Sequence, residues 1–165
     1  DVWQEFLNKC DDFKTVVNNG RKNEIFKVDY KELLINFEGE IACYYVDPPY
    51  SGEQYSRFYH ILETVVKYDR PRLQYKGLYR ADRFKSGFCY KKLAEGEFEF
   101  IMKEISKKGA ALVISYSDKG ILPVQKLKQL GRKYFRRIEL RRNSYAHSTL
   151  GKGKNDINEI LLILK

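Results

Sequence analysis

The sequence predicts an α/β fold built on a mostly parallel sheet. Three observations carry that prediction. Residues 41–46 (IACYYV) and 110–116 are short apolar runs of the kind a strand shows when both of its faces are covered. Stretches of helical period separate them. No internal repeat and no Pro/Gly/Ser-rich linker divides the chain. With 165 residues, 43% hydrophobic and 15% aromatic, the chain has material for one packed core, so 1–165 reads as a single domain.

Each element follows from its local pattern. In residues 2–17, Val2, Phe6, Phe13, Val16 and Val17 share a helical face. Asn18-Asn19-Gly20 stops that helix. Residues 25–28 predict a short strand, and residues 31–35 a helical turn. After the run at 41–46, residues 53–68 read as one helix with Phe58, Ile61, Leu62, Val65 and Val66 on one side. Residues 69–92 have no clean period and read as loop. Phe98, Ile101, Met102 and Ile105 fall at i, i+3, i+4 and i+7 and predict a helix over 94–107. Pro123 suits the start of a helix over 123–130. Phe135, Ile138 and Leu140 mark a polar edge strand, and residues 157–164 a last strand. That makes about five core strands.

Charge narrows the function. The net charge is +9, but it is not spread evenly. Residues 1–66 carry a net of −5, residues 67–92 a net of +7, and residues 126–154 a net of +9. Two one-sign blocks favour a polyanionic partner over a merely solvated surface. The apolar runs are far shorter than the roughly 20 residues of a membrane span, so no membrane role is expected. Three cysteines (Cys10, Cys43, Cys89) without a CxxC spacing indicate neither a disulfide scaffold nor a zinc site. They suit a reducing, cytoplasmic compartment. His60 and His147 have no ligand spacing, so neither a metal nor a general-base role is assigned. The chain opens on Asp rather than Met and shows no signal segment, as a processed chain or a piece of a longer one would.

In an α/β sheet, ligands bind beyond the carboxyl ends of the strands. The residues there are Asp29-Tyr30, Asp47-Pro48-Pro49-Tyr50 and Ser117-Asp118. Two successive prolines end a strand, because neither donates to the ladder. They hold a stiff turn in which the Asp47 carboxylate and the Pro48 carbonyl are two acceptors facing one cleft, with the Tyr50 ring just beyond. Two acceptors beside a ring suit a planar amine. Bonds from both N–H groups localise the lone pair of an aromatic amine, which can then attack an electrophilic methyl group in line. An isolated D-P-P-Y is equally an ordinary surface turn. Its place after a buried strand, followed by basic aromatic chain, favours the site.

The segments YVDPPYSGEQYSRFYH, YRADRFKSGFCYK, LVISYSD, NSYAHST and the terminal EILLIL resemble the Dam-like adenine-specific DNA methyltransferases. The resemblance runs from about Asp29 to the end. It implies a Rossmann-like methyltransferase fold and transfer of a methyl group from S-adenosylmethionine to adenine N6 in double-stranded DNA, usually within restriction-modification systems. It implies catalytic roles for Asp47, Pro48, Pro49 and Tyr50, with Tyr50 stacking on the flipped adenine. Asp29 and Tyr30 are the implied cofactor contacts, and Tyr145 the candidate second wall around the base. No metal is implied. Residues 67–92 interleave rings with cations and are expected to contact DNA. Arg80, Arg83 and Lys91 are the candidates there, with Arg141 and Arg142 on a second wall, where alternation lets only some face DNA. The family's glycine-rich cofactor loop has no counterpart: Gly20 stands alone, and Gly151-x-Gly153 precedes the last strand. The expectation is an incomplete fold lacking its N-terminal βαβ portion, supplied by a missing segment or a second polypeptide.

Two other classes remain open. One is a methyltransferase acting on RNA or on a protein amide, since phosphates look alike to Lys and Arg. The other is a DNA-binding remnant without catalysis.

Overall fold

In the computed structural model the described residues are 2–17, 20–144 and 158–165. The chain divides into two compact units, residues 1–30 and 31–165.

The first unit holds α1 (Val2–Val17), where the apolar period predicts it. Gly20 has φ +67°, a left-handed backbone that glycine adopts without strain. Residues 25–28 are irregular rather than a strand. A strand needs a neighbour for its backbone groups, and none of the described strands pairs with these four residues. Ile25 is accordingly 96% exposed.

The second unit is built on a four-stranded sheet. In chain order it contains α2 (Tyr30–Asn36, which begins at the boundary), β1 (Cys43–Val46), α3 (Tyr55–Phe58) and α4 (His60–Lys67). A two-strand hairpin follows, β2 (Leu73–Gln74) with β3 (Tyr79–Arg80), then a 3-10 turn at Gly87–Cys89. The remainder is α5 (Lys91–Lys107), β4 (Ala111–Ser117), α6 (Val124–Tyr134), β5 (Ile138–Ser144) and β6 (Asn158–Leu164).

The sheet order is β1-β4-β6-β5. β1 pairs parallel with β4, while β6 pairs antiparallel with both β4 and β5. Three strands therefore run one way, and the last strand is inserted in reverse between two of them. The predicted edge strand is indeed an edge. Among the described residues the sheet has four strands, not five, because residues 25–28 do not join it.

One face of the sheet is the core. Leu112, Ile114 and Tyr116 of β4 are in register with Leu164, Leu162 and Ile160 of β6, and all six are buried. Ala94, Phe98, Ile101, Met102 and Ile105 of α5 and Leu127 and Leu130 of α6 supply further buried core side chains. A Cβ at Gly131 would lie 2.5 Å from Leu164 Cδ2, so glycine is what lets α6 approach the sheet this closely.

Two expectations change. β1 alternates between exposed and half-buried residues, and Tyr45 is 64% exposed, so it is not covered on both faces. It lies at the edge of the described sheet, with a partner on one side only. Residues 53–68 form two helices, not one. The chain leaves helical geometry at Tyr59 (φ −101°, ψ 17°). The apolar stripe of Phe58, Ile61, Leu62, Val65 and Val66 is exposed. The 3.6 period marks the stripe correctly but does not say what covers it.

Candidate active site

β1 stops because of its own sequence. Pro48 and Pro49 follow Val46-Asp47 and cannot donate to a ladder. Both prolines are buried, while Asp47 and Tyr50 on either side are exposed. The turn is thus held by packing and presents the Asp47 and Tyr50 side chains outward. The Tyr50 carbonyl accepts a bond from Ile121 N–H at 2.9 Å, tying the turn to the loop after β4. The Tyr50 ring meets the Tyr116 ring edge to face, with centroids 6.3 Å apart at 86°.

Tyr116 is fixed in turn. Its hydroxyl accepts from Leu122 N–H at 3.0 Å, and its ring packs edge to face on Phe98 at 5.3 Å. A Cβ at Gly120 would collide with this ring. Tyr116 and Gly120 are supports that sequence reading missed. Tyr116 lies inside the run at 110–116, and nothing local distinguishes a core ring from one that backs a site.

Ser117 and Asp118 end β4 beside the same turn. Asp118 accepts bonds from Asn158 at Oδ1 (3.2 Å, from the backbone N–H) and Oδ2 (2.8 Å, from the side-chain amide). These bonds hold its carboxyl below the usual range. Its role is to anchor the start of β6. Glu159, in register with Ser117, brings a second carboxylate to this end of the sheet.

Asp47 is the carboxylate that differs. Protein displaces part of the water around its carboxyl, and this, followed by the charge of Glu159, pushes its pKa up. Tyr55 lies within the field of Asp47. Its phenol is pushed up to about 12, by burial first and then by Asp47. It therefore stays protonated at any working pH. Neither Glu159 nor Tyr55 carries a motif that would single it out in sequence.

The hairpin segment 67–92 is more ordered than its lack of period suggests. Strands of two residues are too short to show alternation. Tyr68, Tyr75 and Leu78 have positive φ without being glycine, so the surrounding contacts over-determine the backbone there.

Arg80, in the same segment, corrects an expectation. It is 3% exposed, and all five of its N–H groups are taken. Nε and one Nη2 hydrogen go to Asp82 (2.9 and 2.8 Å), the other Nη2 hydrogen and one from Nη1 to Asp69 (2.8 and 2.6 Å), and the last to Thr64 Oγ1 (3.2 Å). A guanidinium with no donor left is a clamp between α4 and the hairpin. It is not a phosphate contact.

Arg83 is placed differently. Its guanidinium lies over two rings, Tyr75 and Tyr79, at 5.1 Å each, and Arg57 stacks on Tyr79 at 5.0 Å. Lys91 is exposed and opens α5, whose first turn has no acidic residue. Arg141 is exposed and paired with Glu139 at 2.8 Å. Arg142 is exposed at the next position and so faces the other side of β5.

Asp29 is exposed just before α2, and Tyr30 is its first, half-buried residue. Tyr145 lies outside the described residues. No group of three or more His, Cys, Asp or Glu among the described residues is placed to hold a metal ion. No helix among them is long and apolar enough to cross a membrane. Of the two cavities described, the larger, about 450 Å³, is at the opposite end of β1, around Phe37 to Ala42 and Lys108. The smaller, about 70 Å³, lies beside Arg80 and Arg83.

The family model for D12 class N6 adenine-specific DNA methyltransferases matches residues 3–130. The chain belongs to this family. Modification methylase LlaI of Lactococcus lactis subsp. lactis is 32% identical over 162 residues, 93% of this chain and 25% of that protein. Type II methyltransferase M.FokI of Planomicrobium okeanokoites is 32% identical over 114 residues, 68% of this chain and 17% of that protein. Type II methyltransferase M.NlaIII of Neisseria lactamica is 26% identical over 134 residues, 81% of this chain and 38% of that protein. The chain spans a quarter of the length of the first of these relatives and less of the second. No solved structure matches it.

This geometry makes two predictions. The Arg80 clamp holds Asp82 down at about 2 and lowers Asp69, from an ordinary value of 3.8. Folded carboxyls held low contribute stability that is present above their unfolded pKa and lost as pH falls through the folded value. The hairpin should therefore loosen between about pH 4 and pH 2, seen as loss of tyrosine near-UV dichroism. Arg80→Met should lower the melting temperature and remove that acid transition. The second concerns the turn. Glu159→Gln takes a negative charge away from Asp47, so any acidic limb of a pH–rate profile that reports Asp47 should move to lower pH.

Proposed function

We propose that this chain, residues 1–165, carries the catalytic turn and DNA-contacting segments of an enzyme that methylates adenine N6 in DNA, with S-adenosylmethionine as donor. The observation that carries the proposal is the turn itself: an outward carboxylate and ring on a buried Pro-Pro corner at the carboxyl end of β1. Family membership supports the same reaction, and relatives named modification methylase and type II methyltransferase support a restriction-modification setting.

The chain's own groups do the following. Asp47 accepts one N–H of the extruded adenine, and the Pro48 carbonyl accepts the other. Its raised pKa makes Asp47 a stronger acceptor than an ordinary aspartate. Pro49 fixes the corner, and Tyr50 stacks on the base, braced by Tyr116. With both hydrogens held, the nitrogen's lone pair is localised and directed at the position an electrophilic methyl carbon would take, and Asp47, already accepting one of the two hydrogens, is placed to receive the proton the nitrogen sheds. When bound, S-adenosylmethionine supplies that electrophilic carbon on a sulfonium. An exposed carboxylate followed by a half-buried ring, Asp29 and Tyr30, is a set that suits its aminopurine. Tyr145 is the proposed second wall.

Residues 67–92 are the proposed DNA-contact segment, with Arg83 and Lys91 as its phosphate contacts and one of Arg141 and Arg142, which face opposite sides of β5, on a second wall. Lys91 sits where the first-turn amides of α5 add partial positive charge. The partner is double-stranded DNA. Among the described residues β1 is an edge strand, which fits a sheet completed by further strands, from a missing N-terminal segment or a second polypeptide. An incomplete Rossmann-like sheet is part of this proposal, as is a cytoplasmic location.

The test uses the full-length protein with a labelled methyl donor on DNA, RNA and protein side by side. Label should appear as N6-methyladenine in DNA. Asp47→Ala should lower turnover by about 10³-fold or more while DNA affinity stays within about threefold. Label in RNA or protein alone would replace the reading. Replacing Arg83 and Lys91 together should reduce the salt slope of DNA binding by about 2.

A further inference from the structure

Gln54 lies four residues past the catalytic turn, and its side-chain oxygen is unusually loaded. Oε1 accepts three bonds: from Ser86 N–H at 3.1 Å, from Ser86 Oγ at 2.8 Å and from Cys89 Sγ at 3.3 Å. Burial pushes the Cys89 thiol up, so it remains a donor. Next to Gln54, Ser56 Oγ donates to the Phe84 carbonyl at 2.9 Å. The chain leaving the turn is thus tied to residues 84–89.

A second route joins the same two places. The Tyr50 ring leans on Tyr116, Tyr116 on Phe98 at 5.3 Å and 87°, and Phe98 on Phe88 at 5.1 Å and 77°. Each contact is edge to face, so the tilt of one ring sets the tilt of the next. Tyr116, Phe98 and Phe88 are buried, and interiors this close-packed transmit displacement instead of absorbing it. Phe88 sits in the 3-10 turn between the two residues that Gln54 holds. Turn, ring stack, 3-10 turn and Gln54 form a closed circuit around the site. Lys85 and Lys91 flank it on the basic segment.

We propose that Gln54 is a positioning residue for base methylation: by holding Ser86 and Cys89 it closes the ring circuit that sets the Tyr50 ring, on which the extruded adenine stacks. This rests on the adenine N6 reaction proposed above. Gln54 touches no reacting atom. It acts on the geometry of the stacked base, where an error of about 1 Å costs up to 10²-fold in rate.

The experiment compares wild type, Gln54→Leu and Gln54→Glu in the full-length protein. It uses unmethylated bacterial genomic DNA and tritiated S-adenosylmethionine, with N6-methyladenine as product. Leu fills the space without an acceptor, and Glu restores an oxygen. Gln54→Leu should lower kcat by about 10- to 100-fold, with KM for DNA within about twofold and melting temperature nearly unchanged. Gln54→Glu should recover kcat to within about fivefold. A Gln54→Leu variant with unchanged kcat overturns the proposal. So does one whose kcat falls only together with KM and melting temperature, without rescue by Glu. A wild type that transfers no methyl to adenine overturns the parent reaction and this role with it.

Discussion

Two consecutive prolines at the carboxyl end of β1 deprive the chain of two backbone donors at the point where a strand would otherwise continue. The chain must turn there, and burial of both rings leaves one way to do so. Asp47 and Tyr50 are held outward on either side of that corner. The other features of the site are arranged around it: the Ile121 bond to the Tyr50 carbonyl, the Tyr116 ring beneath Tyr50, and the partial burial and then the Glu159 carboxylate that push Asp47 up.

The sheet explains why these groups meet. β1 and β4 run parallel, so their carboxyl ends lie side by side and place residues 47–50 next to 117–122. Reversed between β4 and β5, β6 brings its amino end to the same place. Asn158 is pinned there by Asp118, and Glu159 follows it. Residues separated by more than a hundred positions in the chain thereby act on one carboxylate.

Charge in the basic segment divides into two jobs. Arg80 is sequestered by two aspartates and a threonine and ties the hairpin to α4. Arg83 stacks between rings, and Lys91 is exposed. The segment's net charge of +7 already subtracts Asp69 and Asp82, so sequestering Arg80 with them removes one of its nine cations without lowering that net charge.

The sequence alone determined the helices α1, α5 and α6, the strands at 43–46, 111–117 and 158–164, and the corner at 47–50. Each of these depends on local periodicity or on what proline cannot do. Family membership, too, was legible in the quoted segments. Only the tertiary structure decided the rest. Residues 25–28 have strand composition but no partner. The stripe on α4 has helical period but lies exposed. Arg80 and Arg83 stand in one motif, yet one is a buried clamp and the other stacks on tyrosines, because Asp69 and Asp82 fold back onto only the first. Tyr116, Glu159 and Gln54 carry no local mark, and what each meets is set by neighbours brought near by the fold. Periodicity reports which side of an element is apolar; which surface or charge meets that side is set by how the elements pack.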